Sequence, residues 1–171
     1  MFVYSSSKEY YCSMETFNAK KYNTFEEFNK DSHKLIKQIL HDTVGMIDSE
    51  KVSYAREVFD KTILNSFIVI GQIPEEIKQL LNSKEYKLKF SMDNMLKNRL
   101  IHPEVCDEDY KKIPLIVNNP SKYYKTKSGY DVILFKADTY FYKLVIKTTK
   151  NRKENFVKSL HLLNEERYYK Y

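Results

Sequence analysis

The chain has 171 residues, 42% of them apolar and 30% charged, with a formal net charge of +6. That length holds one domain with a sizeable core, and that composition excludes the disordered and fibrous classes. A transmembrane helix is also excluded, because the best apolar stretch, Ile63 to Ile73, is broken by Asn65, Ser66 and Gly71 and falls short of the roughly 18 residues a span needs.

The opening MFVYSSSKEYY has neither a basic n-region nor an apolar h-region, so no secretory leader is expected. Cys12 and Cys106 stand alone without CxxC spacing, which points to free thiols in a reducing, cytoplasmic setting. Residues 1–28 lack periodicity and read as an extended arm or a short strand. From Asn29 the pattern turns helical, with Leu35, Ile36, Ile39 and Leu40 at three-to-four spacing and Asp31 or Ser32 as N-cap. Ser49 opens a second helix with Val52, Ala55, Phe59, Ile63 and Leu64 on its apolar side. Ile73-Pro74-Glu75-Glu76 starts a third, with proline in the first turn and acids behind it, running to about Leu81. Ser91 caps a fourth, Met92 to Leu100, which delivers the chain to His102. Cys106-Asp107-Glu108-Asp109 begins a helix that Pro114 should distort and Asn118-Asn119-Pro120 ends.

Three or four strands follow, over about 123–125, 130–136, 140–148 and 154–163, joined by short turns, so consecutive antiparallel pairing is the economical topology. The fold class expected is therefore α+β: N-terminal helices followed by a compact antiparallel sheet of three to four strands. The division expected is a helical region over 1–82 and a second domain over 83–171.

Charge is segregated. Residues 1–83 carry 10 Lys and Arg against 12 Asp and Glu, whereas residues 84–171 carry 19 against 11. An acidic first half joined to a basic second half assigns any polyanion-binding surface to the second. The run LKNRLIHPEV, Leu96 to Val105, concentrates the chemistry there. His102 precedes a proline, which holds its backbone extended at a helix exit, and Lys97 and Arg99 stand beside it. Alternation along the last two long strands puts Lys143 and Lys147 on one face of the first. It puts Val157, Ser159 and His161 on one face of the second. If the apolar sets face the helices, Lys143, Lys147, Ser159 and His161 share the open face.

Metal-independent RNA cleavage needs such a set: a base for the ribose 2′-OH, an acid for the leaving 5′-oxygen, and cations for the non-bridging oxygens. The expected catalytic residues are His102, Lys97, Lys147 and Ser159, with Arg99, Lys143 and His161 binding substrate. His33 and His41 lie in the acidic half and are set aside. There is no Gly-rich phosphate loop, HExxH, GxSxG or Cys/His zinc spacing, so no cofactor or metal is expected. Asp107-Glu108-Asp109 is read as a helix start before a metal site. The competing reading is a non-catalytic nucleic-acid-binding module, with Tyr123, Tyr124 and Tyr130 stacking on unpaired bases.

The segments LKFSMDNMLKNRLIHPEV, DYKKIPLIVNNPSKYY, VILFK, YFYKLVIKTT and ENFVKSL, over about Ser83 to Leu163, resemble phage-associated nuclease families grouped with barnase, EndoU, colicin-type tRNases and RelE. The shared layout is a helical lead-in ending in K…HPE, a helix closing on NNP, and a compact antiparallel sheet. The resemblance implies a metal-independent ribonuclease toxin, acting on RNA such as tRNA and met by an antitoxin or immunity protein with an acidic surface. It maps His102 and Lys97 to the K…HPE element, Lys147 to the lysine closing the third strand, and Ser159 to the last strand.

Overall fold

The computed structural model describes residues 19–171, and the chain there is α+β. Most of the arm expected over 1–28 lies outside those residues. Its described end carries a two-residue strand, β1 (Lys21–Tyr22). Helix α1 (Phe25–Asp42) begins earlier than its apolar spacing suggested, because Thr24 is the N-cap, accepting from Glu27 N at 3.2 Å, and two glutamates fill the first turn. Asp31 and Ser32 are employed elsewhere: Tyr22 donates to Asp31 at 2.7 Å, and Ser32 donates to the Asn29 carbonyl at 2.8 Å.

Helix α2 (Asp48–Val58) stops short of Ile63 and Leu64. Asp60 accepts from Thr62 N and caps a separate turn, α3 (Lys61–Leu64). The chain then enters β2 (Phe67–Gln72), α4 (Glu75–Leu80) and β3 (Lys87–Ser91). Helix α5 (Met92–Ile101) follows without a linker, capped by Ser91 accepting from Asn94 N. Pro114 divides the expected next helix into α6 (Asp107–Tyr110) and α7 (Ile113–Asn118). Strands β4 (Lys122–Lys125), β5 (Asp131–Lys136), β6 (Phe141–Thr148) and β7 (Asn155–Leu163) lie close to where alternation placed them. A last helix, α8 (Glu165–Tyr169), is capped by Asn164.

The expected sheet of three to four antiparallel strands is corrected. The sheet has seven strands in the order β1-β2-β3-β7-β6-β5-β4, and the β1–β2 and β3–β7 pairs are parallel. Strands β2 and β3 come from the stretch read as helical, where the aromatic and β-branched run Phe67–Ile70 pairs with β3. Because β2 and β3 lie on either side of residues 82–83, one sheet crosses that point. Gly71 sits at an irregularity in this pair, where a Cβ would meet Pro114 of α7 at 3.2–3.3 Å, so a side chain there would require the proline to give way by a few tenths of an ångström.

One face of the sheet carries the main core. Tyr142, Leu144 and Ile146 of β6 and Val157 and Leu160 of β7 are fully buried there with Phe28, Ile39, Phe90, Met95, Tyr110, Ile113 and Ile116. The other face is not bare: Val132, Leu134, Phe141 and Leu163 form a smaller cluster under Tyr168 of α8. No helix among the described residues is long and apolar enough to cross a membrane.

Candidate active site

Beyond Phe156, β7 loses β3 as a neighbour, and α5 takes its place along the strand edge. Two buried asparagines satisfy the edge. Asn94 donates to the Val157 carbonyl at 3.0 Å. Asn98 both donates to the Leu160 carbonyl at 3.0 Å and accepts from Leu160 N at 2.9 Å. A strand edge buried without partners would be costly, so α5 is fixed in register against β7. Asn98 also donates to the Tyr110 hydroxyl at 2.7 Å. This docking sets where the helix exit falls. His102 is the C-cap of α5, and its ring lies against the ring of His161, with centroids 3.9 Å apart and planes inclined at 42°.

Across the sheet, Lys143 is the direct partner of His161 and Val145 that of Ser159. Between Val145 and Ile146 the pairing slips by one residue, because β7 carries one extra residue at Lys158. The bulge turns Val157 into the main core and puts Phe156 opposite Lys147. It therefore overturns the expected alignment of Val157 with Ser159 and His161, while Lys143, Ser159 and His161 do share a face.

Ser159 Oγ lies 2.9 Å from His161 Nε2. Glu104, two residues after His102, brings a carboxylate oxygen to 3.4 Å from His102 Nδ1. Lys143 Nζ donates to the Tyr171 hydroxyl at 3.1 Å and lies over the same ring, 4.7 Å from its centroid. That hydrogen bond, reinforced by the charges of Lys143 and Arg167, pulls the Tyr171 phenol below its ordinary value against the effect of burial. Burial above all, and then the charges of His102, Lys143, Arg167 and Lys97, push His161 down to about 3, so its imidazole is neutral through the physiological range. Among the described residues, no acid forms an ion pair with Lys97, Lys143 or Arg167. The result is a cluster of cations around a neutral imidazole, with one carboxylate at its margin on His102.

Of the residues expected to form the site, His102, His161, Ser159 and Lys143 are brought together, with Lys97 near enough for its charge to act on His161. Lys147 is not: it lies four residues along β6 from Lys143, roughly 13 Å at strand rise. There its Nζ donates to the Gly129 carbonyl at 3.4 Å and sits over the Tyr130 ring. Arg99 is not there either. Its side chain is 8% exposed and clamps α1 to α6, donating to Ser32 Oγ at 3.1 Å, to Asn29 and to Asp107 at 3.0 Å. Burial alone would raise Asp107, but hydrogen bonds from Asn29 and His33 and the Arg99 charge overcome it and hold the carboxyl below its ordinary range. Asp109 accepts from Tyr142 at 2.6 Å and from Cys106 N, and Glu108 pairs with Lys111, so the three neighbouring acids serve separate partners. No group of His, Cys, Asp or Glu among the described residues is placed to hold a metal ion.

Sequence reasoning missed Arg167 and Tyr171, which reach the site through α8, and Asn98, which positions it. Only Glu104, inside the HPE run, carried a local signal. No family model, no curated protein and no solved structure matches the chain, and a functional reading rests on this geometry.

Proposed function

We propose that the chain is a metal-independent endoribonuclease that cleaves RNA by attack of the ribose 2′-OH on the adjacent phosphate, leaving a 2′,3′-cyclic phosphate. The observation that carries this reading is the His102–His161 pair set among Lys97, Lys143 and Arg167, none of which has an acidic partner among the described residues. Cations gathered without counter-charges form a site for an anion, and a phosphodiester is an anion whose transition state gains charge.

Two imidazoles in contact can divide the proton work. Glu104 stands with a carboxylate oxygen 3.4 Å from His102 Nδ1, and His102 is the first proton carrier. His161, neutral before substrate arrives, is the second carrier. A bound phosphate offsets the neighbouring charges that add to the effect of burial on it. Lys143, Lys97 and Arg167 hold the non-bridging oxygens, and Ser159 donates to the phosphate or to His161. Lys147 and Arg99 leave the assignment. An unpaired stretch within a folded RNA such as tRNA is the substrate class this supports. An inhibitor, if the chain is a toxin, would present an acidic surface to the same cations.

The test is single-turnover cleavage of a mixed RNA pool in EDTA, with the product ends identified. Wild type should give cyclic phosphate ends. His102→Ala and His161→Ala should each lower the cleavage step by at least about a hundredfold, with RNA affinity nearly unchanged. Cleavage that vanishes in EDTA, or that survives both substitutions, overturns the proposal.

A further inference from the structure

Pairing registers place two rows of side chains across the face that carries the site. One runs Lys122, Leu134, Lys143, His161; the other runs Tyr124, Val132, Val145, Ser159. At their far end, on β4, Tyr124 faces the Tyr171 ring, with centroids 6.0 Å apart and planes within 18° of parallel. Lys122, Tyr123, Tyr124 and Tyr171 line a concavity of about 630 Å³ there. Tyr123 alternates with Tyr124 along β4, so its ring lies on the opposite face of the sheet, where Asp131 holds its hydroxyl. Lys122 Nζ donates to the Tyr171 carbonyl at 3.1 Å. Tyr171 joins this concavity to the histidines, because its hydroxyl accepts from Lys143, the cross-strand partner of His161.

We propose that this concavity binds an unpaired RNA base, stacked on Tyr124 and Tyr171, from a nucleotide flanking the scissile phosphate; the placement of that phosphate rests on the ribonuclease reading. Three strand spacings separate Tyr124 from Ser159, roughly 14 Å at about 4.8 Å each, so the base belongs to a neighbour beyond the nucleotide being cut. Stacking on a tyrosine face requires a base whose own face is free, which a base inside a duplex does not offer. Lys122 at one wall and Lys143 between the two subsites supply charge for the connecting phosphates. The substrate is therefore single-stranded at this position, and base identity matters little, since every base has a π-face.

The probe is a 2′-O-methylated single-stranded oligonucleotide carrying 2-aminopurine, which cannot be cleaved for want of a 2′-OH, measured alone and annealed to its complement. Wild type should quench the 2-aminopurine in the single strand. Tyr124→Leu keeps the apolar contact with Val132 but loses the ring. It should weaken single-strand binding by about five- to a hundredfold, the range base–aromatic stacking commands. Tyr124→Phe should bind as wild type, and neither substitution should alter duplex affinity. Equal single-strand affinity of Tyr124→Leu and wild type, or an equal loss for duplex and single strand, overturns the base subsite. Cleavage of the unmodified strand separates the two claims. Cleavage by wild type and Tyr124→Leu alike, with unchanged binding, removes the subsite and leaves the ribonuclease. Ring-dependent binding without any cleavage removes the ribonuclease and leaves the subsite.

Discussion

His161 should make the protein lose stability as the medium is acidified through a range where carboxylates are still ionised. The imidazole has its ordinary value of 6.5 in the unfolded chain and about 3 in the folded one, depressed first by burial and then by His102, Lys143, Arg167 and Lys97. Above pH 6.5 neither state binds the proton and the group contributes nothing. Below it the unfolded chain takes up a proton that the folded chain refuses, so stability falls by up to about 1.4 kcal/mol per pH unit until the folded value is reached. From pH 6.5 to 5 that amounts to about 2 kcal/mol. His161 retains some solvent contact, and screening halves the figure to about 1 kcal/mol. The assay is urea denaturation of wild type and His161→Gln at pH 7.5 and pH 5. The difference between the two proteins cancels the histidines that do not touch His161, and wild type should lose about 1 kcal/mol more. An NMR titration of the imidazole C2 protons gives an independent reading. An His161 resonance that titrates between pH 6 and 7, or equal losses from the two proteins, would refute the picture of a neutral imidazole held among cations.

Two further outcomes test the parts around it. Asn98→Leu keeps the volume but strips the Leu160 N–H and C=O and the Tyr110 hydroxyl of their partner. At about 1–3 kcal/mol for each buried group left unsatisfied, the loss should be at least about 3 kcal/mol, a large share of a stability of order 5–15 kcal/mol, and readable as a lowered denaturation midpoint. Lys143→Ala should lower single-turnover cleavage by about a hundredfold, whereas Lys147→Ala, whose Nζ is on the Gly129 carbonyl, should change it by less than about fivefold.

What the sequence made legible follows its local signals. Strands β4 to β7 could be read because β-branched and aromatic residues alternate between short turns, and α5 because Ser91 is a good cap before a run of helix formers. Strand β2 was hidden because Phe67–Ile70 continues the apolar residues Ile63 and Leu64, and only the Asp60 cap and the pairing with β3 separate strand from helix. Face assignment along β7 failed at a single point. The bulge at Lys158 has no glycine to announce it, yet it reverses parity, so Val157 belongs to the core while Ser159 and His161 two and four residues on face outward. Helix α8, which carries Arg167 to the site and Tyr171 just beyond it, is five residues long with no clear period.

The error over Arg99 had a different origin, and elementary geometry could have prevented it. Adjacency in sequence put Lys97 and Arg99 together beside His102, but two residues along an α-helix are about 200° apart, on nearly opposite sides. One side of α5 therefore turns Arg99 towards α1 and Tyr110, whereas Lys97 is on the other side, with its charge felt at His161. The fold then treats the two cations differently. Arg99 is given Asp107, as Lys89 is given Glu154 and Lys125 is given Asp131, because a buried or half-buried structural charge needs its counter-charge at hand. Lys97, Lys143 and Arg167 are assembled around His161 without an acidic partner among the described residues. Lys112, Lys122, Lys136 and Lys147 likewise have no acidic partner among the described residues, so it is the nearness of Lys97, Lys143 and Arg167 to a pair of touching imidazoles, more than the want of a counter-charge, that marks the candidate site on a basic surface.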